Sequence, residues 1–275
     1  MADPDLFAHG WPVPAGVTRR GSVLLVHGLG EHGGRYAHVA ERLVALGLEV
    51  RAYDHSGHGR SPGRRGVIAH PEALLDDLRD VFAALDAAGR ARGDGAPPFL
   101  LGHSLGGTVA ARAATGGWVV PRGLVLSSPA LRVPAIGRAQ TALLAVLRRV
   151  APDLPLPNRL PADKLSHDTA EVAAYQADAL VHDRITARLY DFLVDAGAAA
   201  RRDAARFAVP TLLVVAGADR IVDARGAHDF LAALPDGVGT LHAYNALYHE
   251  LFNEREPDRT RVLDDVTAWL ASRLS

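Results

Sequence analysis

Two five-residue stretches, GRSPG at Gly59–Gly63 and GHSLG at Gly102–Gly106, both fit the pattern G-x-S-x-G. The chemistry this pattern can serve is nucleophilic attack by a serine hydroxyl, and such a serine must meet three demands. It sits on a sharp turn from a strand into a helix, which lifts Oγ clear of the backbone. Its flanking glycines leave room where a Cβ would collide. The residue after it donates a backbone N–H to the oxyanion that develops during attack. GRSPG fails the last demand, because Pro62 follows Ser61 and proline has no N–H. DHSGHG also separates it from the preceding strand-like run, and Arg64, Arg65 and Gly66 start no helix. Ser61 reads as a loop serine. GHSLG meets all three demands: PPFLL runs into it, LGGTVAARAAT leaves it, and Leu105 has an N–H to offer. Ser104 is the candidate nucleophile.

A serine needs a base to take its proton and an acid to orient that base. The chain has 13 histidines, so residue type decides nothing and position must. Asp219 directly follows the strand-like run TLLVVAGA. His249, in ALYHELF, lies just past GTLHAYN. In a parallel sheet both strands end on the same edge as the turn of Ser104. That convergence, together with the chain order Ser, Asp, His, selects Asp219 as the orienting acid and His249 as the base. Asp223 better suits the N-cap of the next helix, His242 falls inside a strand and His228 on a helix. A second oxyanion donor is expected from the loop HGLGEHGGRY, where the N–H of Leu29 is the candidate beside that of Leu105.

The elements that must position these groups alternate along the chain. Strand patterns at Ser22–Gly28, Leu48–Asp54, PPFLLGHS, GLVLSSPA, TLLVVAGAD and GTLHAYN are separated by helical ones. The alternation predicts an α/β fold, a mostly parallel sheet with helices on both faces. The rhythm breaks over 130–207, which shows no clear strand. It holds helical patterns at Ile136–Val150, Thr169–Leu180 and Ile185–Ala200 around PDLPLPNRLP. The expected division is a core of residues 1–129 and 208–275 with a helical cap inserted at 130–207. The cap would lie over the strands' carboxyl ends, where open α/β sheets bind ligands. Leu131, Val133, Ile136, Leu143, Leu144 and Leu147 are candidates to line an apolar channel beneath it; apolar residues at this spacing equally build a cap's own core.

Composition narrows the function classes. The 275 residues are 48% apolar, enough for one large domain with an insertion. Lys plus Arg number 30 and Asp plus Glu 31, so no charge excess points to nucleic acid. Lys164 is the only lysine. There is no cysteine, which excludes disulfides, thiolate metal sites and cysteine nucleophiles. The N-terminus lacks a basic start and an apolar run, so no signal peptide is expected and the location is read as cytoplasmic. The proposed chemistry needs no metal and no organic cofactor.

HGLGEHGGRY, YDHSGHGRSPGRRG, GHSLGG, GADRIVD and YHELFNE occur in this order. Together they resemble the monoacylglycerol lipase and lysophospholipase group of α/β-hydrolases, from about Trp11 to the C-terminus. The resemblance implies an α/β-hydrolase fold with an inserted helical cap. It implies Ser104 as nucleophile, Asp219 as acid, His249 as base, and Leu29 and Leu105 as oxyanion donors. It also implies that the loop holding Ser61 is structural. The implied partner is a small lipid or ester substrate, with at most a transient contact between cap and membrane surface. Two features depart from the group. Members usually carry an extra strand before the Phe7–Trp11 region, which in this chain is expected to be short or missing, and the cap is the least similar part. A short-chain carboxylesterase, a peptidase and a non-catalytic ligand receptor are the competing readings.

Overall fold

In a parallel sheet covered on both faces, successive side chains of each strand must enter opposite cores. A computed structural model, which describes residues 5–274, shows this directly. Residues 1–4 of the N-terminal segment discussed above lie outside it. The strands are β1 (Ala8–Trp11), β2 (Gly21–Val26), β3 (Leu48–Tyr53), β4 (Phe99–His103), β5 (Leu124–Ser127), β6 (Leu156–Pro157), β7 (Arg184–Ile185), β8 (Thr211–Ala216) and β9 (Gly239–Tyr244). Seven of them form one sheet in the order β1-β3-β2-β4-β5-β8-β9. All neighbours are parallel except β1, which pairs antiparallel with β3 at the edge. The first described strand, β1, spans four residues within the Phe7–Trp11 region; no strand precedes it among the described residues, and residues 1–4 lie outside them.

The helices are α1 (Ala37–Val44), α2 (Ala73–Ala91), α3 (Leu105–Thr115), α4 (Arg138–Val150), α5 (Thr169–Ala177), α6 (Ala187–Asp203), α7 (Arg225–Ala233) and α8 (Asp258–Ala271). Val23 and Leu25 of β2 face a core built with Val39 and Leu43 of α1 and Val262, Val266 and Trp269 of α8. Leu24 and Val26 face the opposite core, with Leu78 of α2, Val109 of α3, Phe192 of α6 and Phe230 of α7. No helix among the described residues is long and apolar enough to cross a membrane.

The insertion differs from its expected form in one way. It contains a small antiparallel pair, β6 with β7, where no strand was expected; two residues a side leave no periodicity to read. Its last helix, α6, buries Leu189, Phe192, Leu193, Ala196 and Ala200 against the helices over the sheet.

Candidate active site

Ser104 sits between β4 and α3 with φ 52° and ψ −117°, a left-handed conformation that costs a non-glycine residue about 1–3 kcal/mol. The turn is held in place from several sides. The Ser104 N–H donates to the Ser127 carbonyl at the end of β5 (3.0 Å), and its own carbonyl accepts from the N–H groups of Thr108 and Ala130 (both 3.0 Å). The flanking glycines are required by space. A Cβ on Gly102 would lie 2.4 Å from the Gly106 carbonyl oxygen, and one on Gly106 would lie 2.1 Å from that of Val26. Leu105 opens α3, so its N–H is among those with no partner one turn back.

Asp219 follows β8 and uses its two oxygens differently. Oδ1 accepts from the N–H groups of Ile221 (2.8 Å) and Val222 (3.0 Å), which makes the local turn. Oδ2 lies 2.7 Å from Nδ1 of His249, which follows β9. A carboxylate can only accept, so His249 Nδ1 carries the proton and Nε2 is left as the basic nitrogen. Burial alone would raise the Asp219 pKa, but the charge and hydrogen bond of His249 and the two backbone donors hold it low. Burial likewise opposes the His249 cation, but Asp219, then Glu250 and Glu31, outweigh it and raise its pKa.

Two spaces meet at Ser104. A channel of about 450 Å³ runs beneath the cap, lined by Ser104, Leu29 and Leu105 and by apolar side chains of the insertion. A chamber of about 20 Å³ adjoins it, lined by Ser104, His249, Glu31, His103, Tyr175 and Glu250. Leu29, Ser104, Leu160 and Ile221 border both. The serine, the base and the loop of Leu29 are thus brought to one place.

Of the six cap residues, Val133, Ile136, Leu143, Leu144 and Leu147 line the channel. Leu131 does not. It is 1% exposed in the core, where its backbone lies against Gly197 of α6 and Gly226 of α7 and its carbonyl accepts from Arg201. The chain runs down against these helices before it rises into the cap. Polar channel residues that sequence reasoning missed are Gln140, Asn158, Thr186, Tyr190 and Arg220. It also missed Glu31, Arg35 and Glu250, although all three stand inside motifs quoted above; acidic residues beside an oxyanion loop and a basic histidine were the available signal. Ser61 lies in a loop, where its Oγ donates to the Asp54 carbonyl (2.6 Å) and accepts from the Phe7 N–H (2.8 Å).

This sheet order, with a strained serine turn after β4 and an acid and a histidine after β8 and β9, defines an α/β-hydrolase. The family profile described as "Serine aminopeptidase, S33" matches residues 18–256, and the chain belongs to that family. It is 37% identical over 259 residues to a monoacylglycerol lipase of Mycolicibacterium smegmatis, covering 93% of this chain and 89% of that one. It is 32% identical over 271 residues to the monoglyceride lipase of Homo sapiens, covering 98% and 87%. The crystal structure of a Paleococcus ferrophilus monoacylglycerol lipase superposes with a TM-score of 0.86 at 36% identity, covering 98% and 99%.

Proposed function

We propose that this chain is a serine hydrolase that cleaves carboxylic esters of lipids, with monoacylglycerols or lysophospholipids as the substrate class. One observation carries the reading: an apolar channel of about 450 Å³ opens on Ser104. A single acyl chain fits the channel, while the chamber of about 20 Å³ beside His249 has room for about one water, the co-substrate of deacylation. The relatives named for monoacylglycerol hydrolysis support it.

In this mechanism Ser104 Oγ attacks the ester carbonyl while His249 Nε2 takes its proton and Asp219 stabilises the imidazolium. The N–H groups of Leu29 and Leu105 bind the oxyanion. His249 then protonates the departing alcohol, and water, activated by the same histidine, releases the fatty acid. No metal or organic cofactor enters. The channel lining contains no Asp or Glu to receive a free amine, and the two glutamates of the chamber are already bonded to Arg35. This favours an ester over a peptide with a free amino terminus.

The same reading includes a transient contact of α4 with lipid surfaces, since Val146 and Val150, which lie outside the channel lining, are 56% and 73% exposed. It also includes a cytoplasmic location, tested by cell fractionation. The main test combines hydrolysis assays with an active-site fluorophosphonate. Turnover of monoacylglycerols or lysophospholipids, and labelling of wild type but not of Ser104→Ala, are expected. Activity confined to the shortest p-nitrophenyl esters would leave a general carboxylesterase. Labelling that survives Ser104→Ala but not Ser61→Ala would overturn the choice of serine.

A further inference from the structure

Next to the serine and the histidine lies a set of charges that the mechanism above does not use. Glu31 and Glu250 are buried, and the Arg35 side chain between them is 9% exposed. Arg35 Nη1 donates to Glu31 Oε2 (2.5 Å) and Glu250 Oε1 (2.8 Å), while Nη2 donates to Glu250 Oε2 (2.7 Å). The ring of Tyr175, from α5 of the insertion, covers the guanidinium at 4.8 Å. The second oxygen of Glu31 accepts from the Gly28 N–H and the Tyr36 hydroxyl, both at 2.6 Å. Gly28 is the residue before Leu29. Glu250 is the residue after His249; its carboxylate also accepts from Asn253 Nδ2 (2.8 Å), and its N–H donates to the Leu165 carbonyl of the insertion (2.8 Å).

One guanidinium therefore ties the start of the oxyanion loop to the neighbour of the base. A buried ion cluster of this kind is a weak source of stability, because desolvation cancels most of its attraction. What it does supply is geometry. The planar fork of arginine fixes two carboxylates in one plane, which a lysine cannot do. We infer that Arg35 is a positioning residue, locking the loop that presents the Leu29 N–H to the loop that presents His249, so that oxyanion donor and base keep one mutual geometry. The inference rests on the assignment of Leu29, Ser104 and His249 above.

The cluster also sets the charge around the base. The groups facing His249 are Asp219 after β8, Glu250 on its own loop, Glu31 on the oxyanion loop and His103 of β4, whose ring centroid lies 4.8 Å away. Burial holds His103 down at about 4, so it is neutral near neutral pH. Burial pushes the carboxyls of Glu31 and Glu250 up, but Arg35 outweighs it and keeps both below the usual range and ionised. Both anions favour the His249 cation.

The test uses Arg35→Lys and Glu250→Gln in the full chain with a soluble p-nitrophenyl ester, together with thermal melts. Arg35→Lys is expected to lower kcat about 30-fold with KM changed less than about twofold, because chemistry and not binding loses its alignment. Glu250→Gln keeps the volume and removes one negative charge, so the acid limb of kcat/KM should move to lower pH by roughly half a unit. A residue that only supports packing would shift the melting temperature and move neither readout. Folded variants with wild-type kcat and acid limb would overturn the proposal. If Arg35→Lys does not fold, the acid limb of Glu250→Gln decides alone. Failure of wild type to label at Ser104 would overturn the assignment beneath the proposal, and the proposal with it.

Discussion

The turn at Ser104 and the helix α4 face each other across the channel, and they are built on opposite principles. All but two of the 11 residues of α3 are buried, and Ser104 itself is 8% exposed. None of the 13 residues of α4 is buried, and apolar Val146 and Val150 face outward. A strained serine persists only where surrounding backbone over-determines it, so the chemistry needs the dense side. A wall that admits acyl chains needs the opposite, apolar surface that has not already been spent on a core. The contrast teaches that substitutions on the two sides should separate: one side governs the chemical step, the other governs which esters reach it.

The largest separation should come from Asp219→Asn. The amide can still accept the turn hydrogen bonds of Ile221 and Val222, so the fold survives. It no longer offers a carboxylate to His249 Nδ1, and the wrong imidazole tautomer is favoured. The expected loss in kcat is about 10⁴-fold, with KM little changed. In the wild type the base must be neutral, and Asp219 with Glu250 and Glu31 raises the His249 pKa above its ordinary value. Activity should therefore fall as pH drops, with the limb lying on the alkaline side of a free histidine. Steady-state kinetics of both proteins across pH check this. An Asp219→Asn enzyme with near-wild-type kcat would show that the dense side does not carry the chemistry.

The second serine sharpens the comparison, because it is as buried as Ser104 and has a different task. Ser61 staples the loop after β3 to the start of β1 through the Asp54 carbonyl and the Phe7 N–H. Ser61→Ala leaves both groups short of a partner and should destabilise the fold by about 2 kcal/mol. For a chain of this size that lowers Tm by roughly 5 °C. Turnover at low temperature should be retained. Thermal melts alongside initial rates separate the two effects.

Legibility in the sequence followed the same divide. The strands after Gly21, the serine turn, Asp219 and His249 could be read because each rests on a local requirement: a continuous apolar run, a missing proline, a strand end. The inner cluster could not. Arg35 and Glu250 are 215 positions apart, and nothing in either motif says that the two loops touch. Leu131 was misplaced for a related reason. Its apolar character fits a channel and a core equally, and only the descent of the chain against Gly197 and Gly226 decides between them. Helix α6 carries an apolar stripe whose partners, the helices over the sheet, hydrophobic period alone does not name.

The smallest effect belongs to the open wall of the channel. Val146 and Val150 are one helical turn apart on α4 and, unlike Leu143, Leu144 and Leu147, do not line the channel. If the outer apolar face of α4 meets lipid surfaces, Val146→Ser together with Val150→Ser should weaken capture of vesicle-bound monoacylglycerol. Shallow, partial insertion of the two valines contributes together about 1 kcal/mol, so the apparent KM on vesicles should rise roughly fivefold. Hydrolysis of a soluble p-nitrophenyl ester should not change, because neither residue touches the channel or the reacting groups. Leu147→Ala provides the converse. It widens the channel and should alter preference among acyl lengths a few-fold on soluble and vesicle substrates alike. Equal losses on soluble and vesicle substrates for the double valine variant would mean that α4 acts only through channel shape. Its outward face would then have no part in finding substrate.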